Sequence, residues 1–79
     1  MNREQITAIV KKILSETTGV EEHEFKPNTQ FRDDLGISSF ELAQALSQIE
    51  QHFNISLPKT SLRTVLEVTQ LIDLVEEEL

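Results

Sequence analysis

The residues with the most chemical potential in this chain are two adjacent serines, Ser38 and Ser39, within the stretch DDLGISSFEL. Ser38 is followed three residues later by Glu41, a spacing that forms a capping box at a helix N-terminus. On that reading Ser38 is the N-cap, with its Oγ accepting a first-turn amide while the Glu41 carboxylate reaches back to the Ser38 amide. Ser39 is then the first helical residue, and its hydroxyl projects to solvent. Most Ser-x-x-Glu sequences are only helix starts, so the pattern alone argues for structure. Its surroundings add to it. Gly36 lets the chain turn tightly before the cap and leaves both serines uncrowded. A phosphate ester on Ser39 would lie where free amides and the helix dipole favour an anion.

The rest of the chain offers little competing chemistry. Cysteine is absent, which excludes disulfides, a thiolate zinc site and a cysteine nucleophile. No Ser-His-Asp or paired-carboxylate arrangement can be built from the sequence. Ser39 therefore reads as a substrate for another enzyme and not as a nucleophile with its own base. His23 lies between glutamates in EEHEF, but neighbours in sequence do not share one helix face, so a solvated loop is the simpler reading. His52, near the end of a helix, suits the dipole there.

A domain of 79 residues buries only about 60–65% of its unfolded surface, which favours a rigid binding or carrier module over a deep catalytic cleft. Fourteen acidic residues against seven basic ones give a formal net charge of −7. That charge repels nucleic acid and suits partner proteins with basic docking patches. No apolar run is long enough for a signal peptide or a membrane span. A single domain over 1–79, cytoplasmic and monomeric, is the expectation.

The helices that hold the serines in place are marked by hydrophobic period. Ile6, Ile9, Val10, Ile13 and Leu14 define a first helix, capped by Asn2 with Gln5 and ended by Gly19. Residues 20–37 show no period, but Val20, Phe25, Phe31, Leu35 and Ile37 are spaced as in a packed loop. A second helix spans about Ser39 to Phe53, with Leu42, Leu46, Ile49 and Phe53 on one stripe. Pro58 interrupts, a short turn of helix is expected around Thr60–Arg63, and a last helix is expected from Thr64 through a Thr64-x-x-Glu67 box. Its Glu76–Glu78 end is unfavourable for the dipole and is expected to fray. The fold expected is all-α: a small four-helix bundle of three main helices and a short third, with a long first loop.

The stretch FRDDLGISSFELAQALSQIEQHFNISLP resembles the core of acyl carrier proteins, whose pattern runs F-x-x-D-L-G-x-D-S-L, then a mostly acidic helix, then F-x-x-x-I/L-P. The resemblance extends over almost the whole chain. It implies a 4′-phosphopantetheine arm on Ser39, placed by the Leu35-Gly36 register, with acyl groups carried on the arm's thiol as thioesters. Phe40 replaces the usual leucine, and Ser38 replaces the usual aspartate, keeping the cap but not the charge. The resemblance also implies partner contacts at Glu41, Gln44, Ser47, Glu50 and Gln51. The implied partners are a phosphopantetheinyl transferase and acyl-transferring or synthase enzymes of fatty-acid, lipid or polyketide biosynthesis. Only two of those five positions are acidic, which points to a specialised pathway. Leu42, Ala43, Leu46, Ile49, Val65, Leu66, Val68 and Ile72 are candidate walls for cargo and equally plain core residues. A peptidyl or D-alanyl carrier, and a helical interaction module without a prosthetic group, remain open alternatives.

Overall fold

The computed structural model describes all of residues 1–79 as four helices packed into a body of 28 × 25 × 20 Å. Helix α1 runs Arg3–Thr18, α2 Ser39–Phe53, α3 Ser61–Thr64 and α4 Val68–Glu78. No helix is long and apolar enough to cross a membrane. Helix α1 packs against both α2 and α4, and the short α3 lies against α2.

Each long helix starts and stops for a local reason. In α1, the Asn2 side chain accepts the Gln5 amide and the Gln5 side chain accepts the Asn2 amide, at 2.8 and 3.0 Å. Gly19, at φ +79°, closes its C-terminus in the left-handed region, where only glycine is free of a Cβ clash. In α2, Asn54 does the same at φ +55°, a region asparagine tolerates through its short polar side chain. The stripes then face inward: Ile6, Val10, Ile13 and Leu14 of α1 meet Leu42, Ala45, Leu46 and Ile49 of α2 and Val68, Leu71, Ile72 and Val75 of α4 in one core.

The long loop is built into that core. Phe25 and Phe31 are fully or nearly fully buried, their rings tilted with centroids 6.5 Å apart, and Ile37 is buried with them. The loop contains a 3₁₀ turn at Glu22–Glu24 that carries His23, exposed and 3.8 Å from an equally exposed Glu21. Further along, residues 29–31 run beside residues 66–68 as one antiparallel bridge. The Phe31 amide donates to the Leu66 carbonyl at 3.0 Å and the Val68 amide to the Thr29 carbonyl at 3.2 Å. The Thr69 hydroxyl and amide both donate to the Pro27 carbonyl.

This seam corrects the expected start of the last helix. Thr64 ends α3, and its hydroxyl donates back to the Thr60 carbonyl instead of capping the next helix. Val65, extended and buried, and Leu66 then run along the loop, and α4 begins at Val68 with Glu67 as N-cap. Gln70 serves as the capping side chain, accepting the Leu66 and Glu67 amides at 2.7 and 2.8 Å. Helix α4 is drawn through to Glu78, over the residues where fraying is expected. The Arg3 guanidinium at the start of α1 reaches across to Asp73 and Glu76. That bond to Asp73, followed by Glu76, raises the Arg3 pKa above its ordinary value.

A loop that merely connected helices would tolerate truncation of its side chains. Here Phe25→Ala should cost about 3–5 kcal/mol, as much as emptying a site on a helix, because the ring is wholly inside. Urea unfolding of the variant, with Phe25→Leu as an intermediate step, measures the cost; a loss under about 0.5 kcal/mol would contradict the packed loop.

Candidate functional site

Two turns bring Ser39 to the surface. Residues 30–35 coil tightly, and Gly36, at φ +66°, ends the coil with its amide donating to the Arg32 carbonyl at 2.9 Å. The Ile37 amide donates to the Phe31 carbonyl at 2.9 Å, which turns Ile37 into the core and sends the next residues outward. No atom lies within 4 Å of where a Gly36 Cβ would stand, so glycine is needed there for its backbone angle and not for space.

At the start of α2 the two hydroxyls have separate partners. The Glu41 amide donates to Ser38 Oγ at 3.1 Å, and the Ser38 amide donates to Glu41 Oε1 at 3.0 Å, completing the capping box. Ser39 is the first helical residue and is exposed, and the guanidinium of Arg32 donates to its Oγ. Ser39 opens onto a groove of about 400 Å³ whose walls include Arg32, Leu62, Arg63, Val65 and Leu66. Phe40, beside Ser39, stands 71% exposed, an unusual position for a phenylalanine.

The five expected partner-contact residues differ in exposure and in bonding. Gln44, Ser47 and Gln51 are exposed and line a shallow groove of about 830 Å³ with Gln48, His52 and the Glu16 end of α1. The two acidic members are engaged elsewhere. Glu41 is the capping carboxylate, and Glu50 Oε2 accepts the Leu57 amide at 2.7 Å, tying down the chain beyond α2; both are half-buried. The outward face of α2 is therefore mainly amide and hydroxyl. Of the candidate cargo walls, Ala43 and Leu66 are exposed, and the other six are core.

Two features of this region were not read from the sequence. Arg32 and Arg63 meet at one groove although 31 positions apart, and pairing over that distance leaves no local signal. Ser61 is 2% exposed, and its Oγ has no hydrogen-bond partner. It lines a third groove, of about 390 Å³, between α2 and α3.

Comparison with known proteins bears on the same region. A family model described as the phosphopantetheine attachment site matches residues 8–77. The chain is 30% identical over 77 residues to an acyl carrier protein of Rubrobacter xylanophilus, covering 98% of this chain and 95% of that one. It is 35% identical over 81 residues to the meromycolate extension acyl carrier protein of Mycobacterium leprae, covering 99% of this chain and 70% of the relative. An acyl carrier protein of Cyanidioschyzon merolae is 30% identical over 73 residues, 92% of this chain and 80% of its own.

The capping geometry makes a stability prediction that separates the serines. Ser38→Ala should cost about 1 kcal/mol, and Ser38→Asp should cost little, because the two side chains cap about equally well. Ser39→Ala should change stability by less than about 0.5 kcal/mol. Urea midpoints of the three variants check this, and equal losses at both serines would contradict the assignment of the cap.

Proposed function

The chain belongs to the phosphopantetheine-binding family of acyl carrier proteins, and from that premise we propose that Ser39 is the residue that takes the arm. The observation that carries the proposal is the division of roles at α2. Ser38 Oγ is occupied by the cap, whereas Ser39 Oγ is exposed at the first helical position, accepts no backbone amide and is bonded only to the exposed Arg32 guanidinium. The donor set also fits a phosphodiester. Arg32 already donates to the oxygen that would become the ester, and Arg63 lines the same groove. When attached, the 4′-phosphopantetheine supplies a thiol on which an acyl group travels as a thioester. The protein's own part is to hold the attachment point rigid on the capped helix and to present it at the surface.

The partner surface is proposed on the same footing. Glu41, Gln44, Ser47, Glu50 and Gln51 bear on partner choice, with Gln44, Ser47 and Gln51 forming the accessible portion and Phe40 an apolar contact beside the arm. A basic patch on a partner meets only two carboxylates here among three uncharged side chains, and each carboxylate is held in place by a backbone amide. Charge complementarity sets encounter rate and partner choice more than final affinity. A face with only two carboxylates among its five positions supports a carrier dedicated to one lipid or polyketide pathway, served by enzymes that read it largely through polar and apolar contacts. One relative, 35% identical, is named for meromycolate extension.

Intact mass tests the attachment. With coenzyme A, Mg²⁺ and a broad-specificity phosphopantetheinyl transferase, the wild type and Ser38→Ala should each gain one arm, and Ser39→Ala should gain none. A gain that survives in Ser39→Ala overturns the assignment. The low charge of this face makes a separate prediction. The double variant Gln44→Glu/Gln51→Glu should be modified several-fold faster by a transferase with a basic docking patch at low salt, and the advantage should vanish at about 1 M salt. A gain that salt leaves untouched would argue against an electrostatic origin.

A further inference from the structure

The chain has only three arginines in an acidic background, and their partners differ. Arg3 is paired with Asp73 and Glu76. Arg32 and Arg63 pair with no carboxylate, although acidic residues are twice as numerous as basic ones. Both line the groove that opens at Ser39, one from the turn before α2 and the other from the last turn of α3. The acids nearest in sequence are partly committed: Asp34 accepts the Gln30 amide at 2.7 Å and Glu41 accepts the Ser38 amide. Asp33 lines the groove too, yet Arg32 turns to Ser39 Oγ and not to it. The cap adjoining Ser39 is a neutral serine, so no carboxylate at position 38 competes for either guanidinium. The result is a groove that holds two guanidiniums and one carboxylate, Asp33, around one hydroxyl in a protein of net charge −7.

We propose that Arg32 and Arg63 form a clamp on the phosphodiester of the protein's own arm, holding it along the groove between the turn before α2 and α3. The inference rests on Ser39 being the attachment residue and adds a role for two residues that the attachment does not require. A phosphodiester carries one negative charge and two non-bridging oxygens, and guanidinium groups bind such oxygens through paired N–H donors in a fixed plane. Once Ser39 Oγ is esterified it is a poorer acceptor, and Arg32 transfers its donors to those oxygens. Arg63 approaches them from the α3 side. The groove beyond, walled by Leu62, Val65 and Leu66, then receives the start of the arm, so the clamp sets the direction in which the arm leaves. Arg32 and Arg63 are positioning residues in this account, since neither touches the reacting thioester.

The test compares apo and holo protein by nuclear magnetic resonance, after intact mass has shown complete conversion of the wild type. The Arg32 and Arg63 Nε–Hε signals should both shift on conversion, while the Arg3 signal stays in place. The ³¹P resonance of the wild-type arm should stand apart from that of Arg32→Gln/Arg63→Gln, and the difference should be lost at about 1 M salt. Both arginines are exposed, so the variant should retain the wild-type far-ultraviolet dichroism. Arginine signals that stay fixed in a fully converted protein, with the same ³¹P resonance in wild type and variant, would overturn the clamp while leaving Ser39 as the attachment site. Failure to convert the wild type would instead strike at the attachment itself.

Discussion

The site depends on a seam of backbone hydrogen bonds between the long loop and the approach to α4. The Phe31 amide meets the Leu66 carbonyl, and the Val68 amide meets the Thr29 carbonyl. In a domain this small a long loop would ordinarily be its least stable part. Here the seam, with Phe25 and Phe31 buried on its inner side, makes the loop a wall of the core. The surface arrangement is a consequence. The turn at 30–36 is held, Gly36 redirects the chain, Ile37 is drawn inward, and α2 starts at a fixed place with Ser39 outward. The same seam sets Arg32 and Arg63 on two sides of one groove. Loosening it would disperse the site without touching any residue in it.

Around that frame the polar groups are divided between structure and surface with little overlap. Ser38 and Glu41 satisfy backbone amides at the start of α2, and Glu50 satisfies the Leu57 amide in the chain beyond it. Ser39, Arg32 and Arg63 are left free of such duties, apart from the bond between Arg32 and Ser39. A chain can be strongly acidic overall and yet hold two guanidiniums free of ion pairs at one groove. Net charge is a property of the composition, whereas the local field depends on where each charge sits. Glu41 and Glu50 are half-buried and already accept hydrogen bonds.

Much of this was legible in the sequence, because local rules decide it. The ends of α1 and α2 are set by Asn2 with Gln5, Gly19, Ser38 with Glu41, and Asn54, each acting within a few residues of itself. The apolar residues of the long loop announced its burial. Illegible were the features that arise from contacts between distant segments. Two overlapping patterns, Thr64-x-x-Glu67 and Glu67-x-x-Gln70, compete as helix starts, and the second prevails because Val65 is buried and Leu66 is bonded to the loop. The crossing of Arg3 to Asp73 and Glu76 holds a helix end that dipole reasoning alone would let fray. That Glu50 accepts the Leu57 amide is visible only once the turn after α2 is folded.

The central claim is that the two serines have different jobs and that chemistry belongs to the second. Tandem mass spectrometry of the protein isolated from its own cells tests this most directly. Cleavage after Arg32 and Lys59 gives one peptide holding both hydroxyls. Fragment ions that place the phosphopantetheine on Ser39, with Ser38 unmodified, are the result expected. Fragment ions that place it on Ser38 would contradict the account, since that hydroxyl would then have to leave the cap on which the helix start depends.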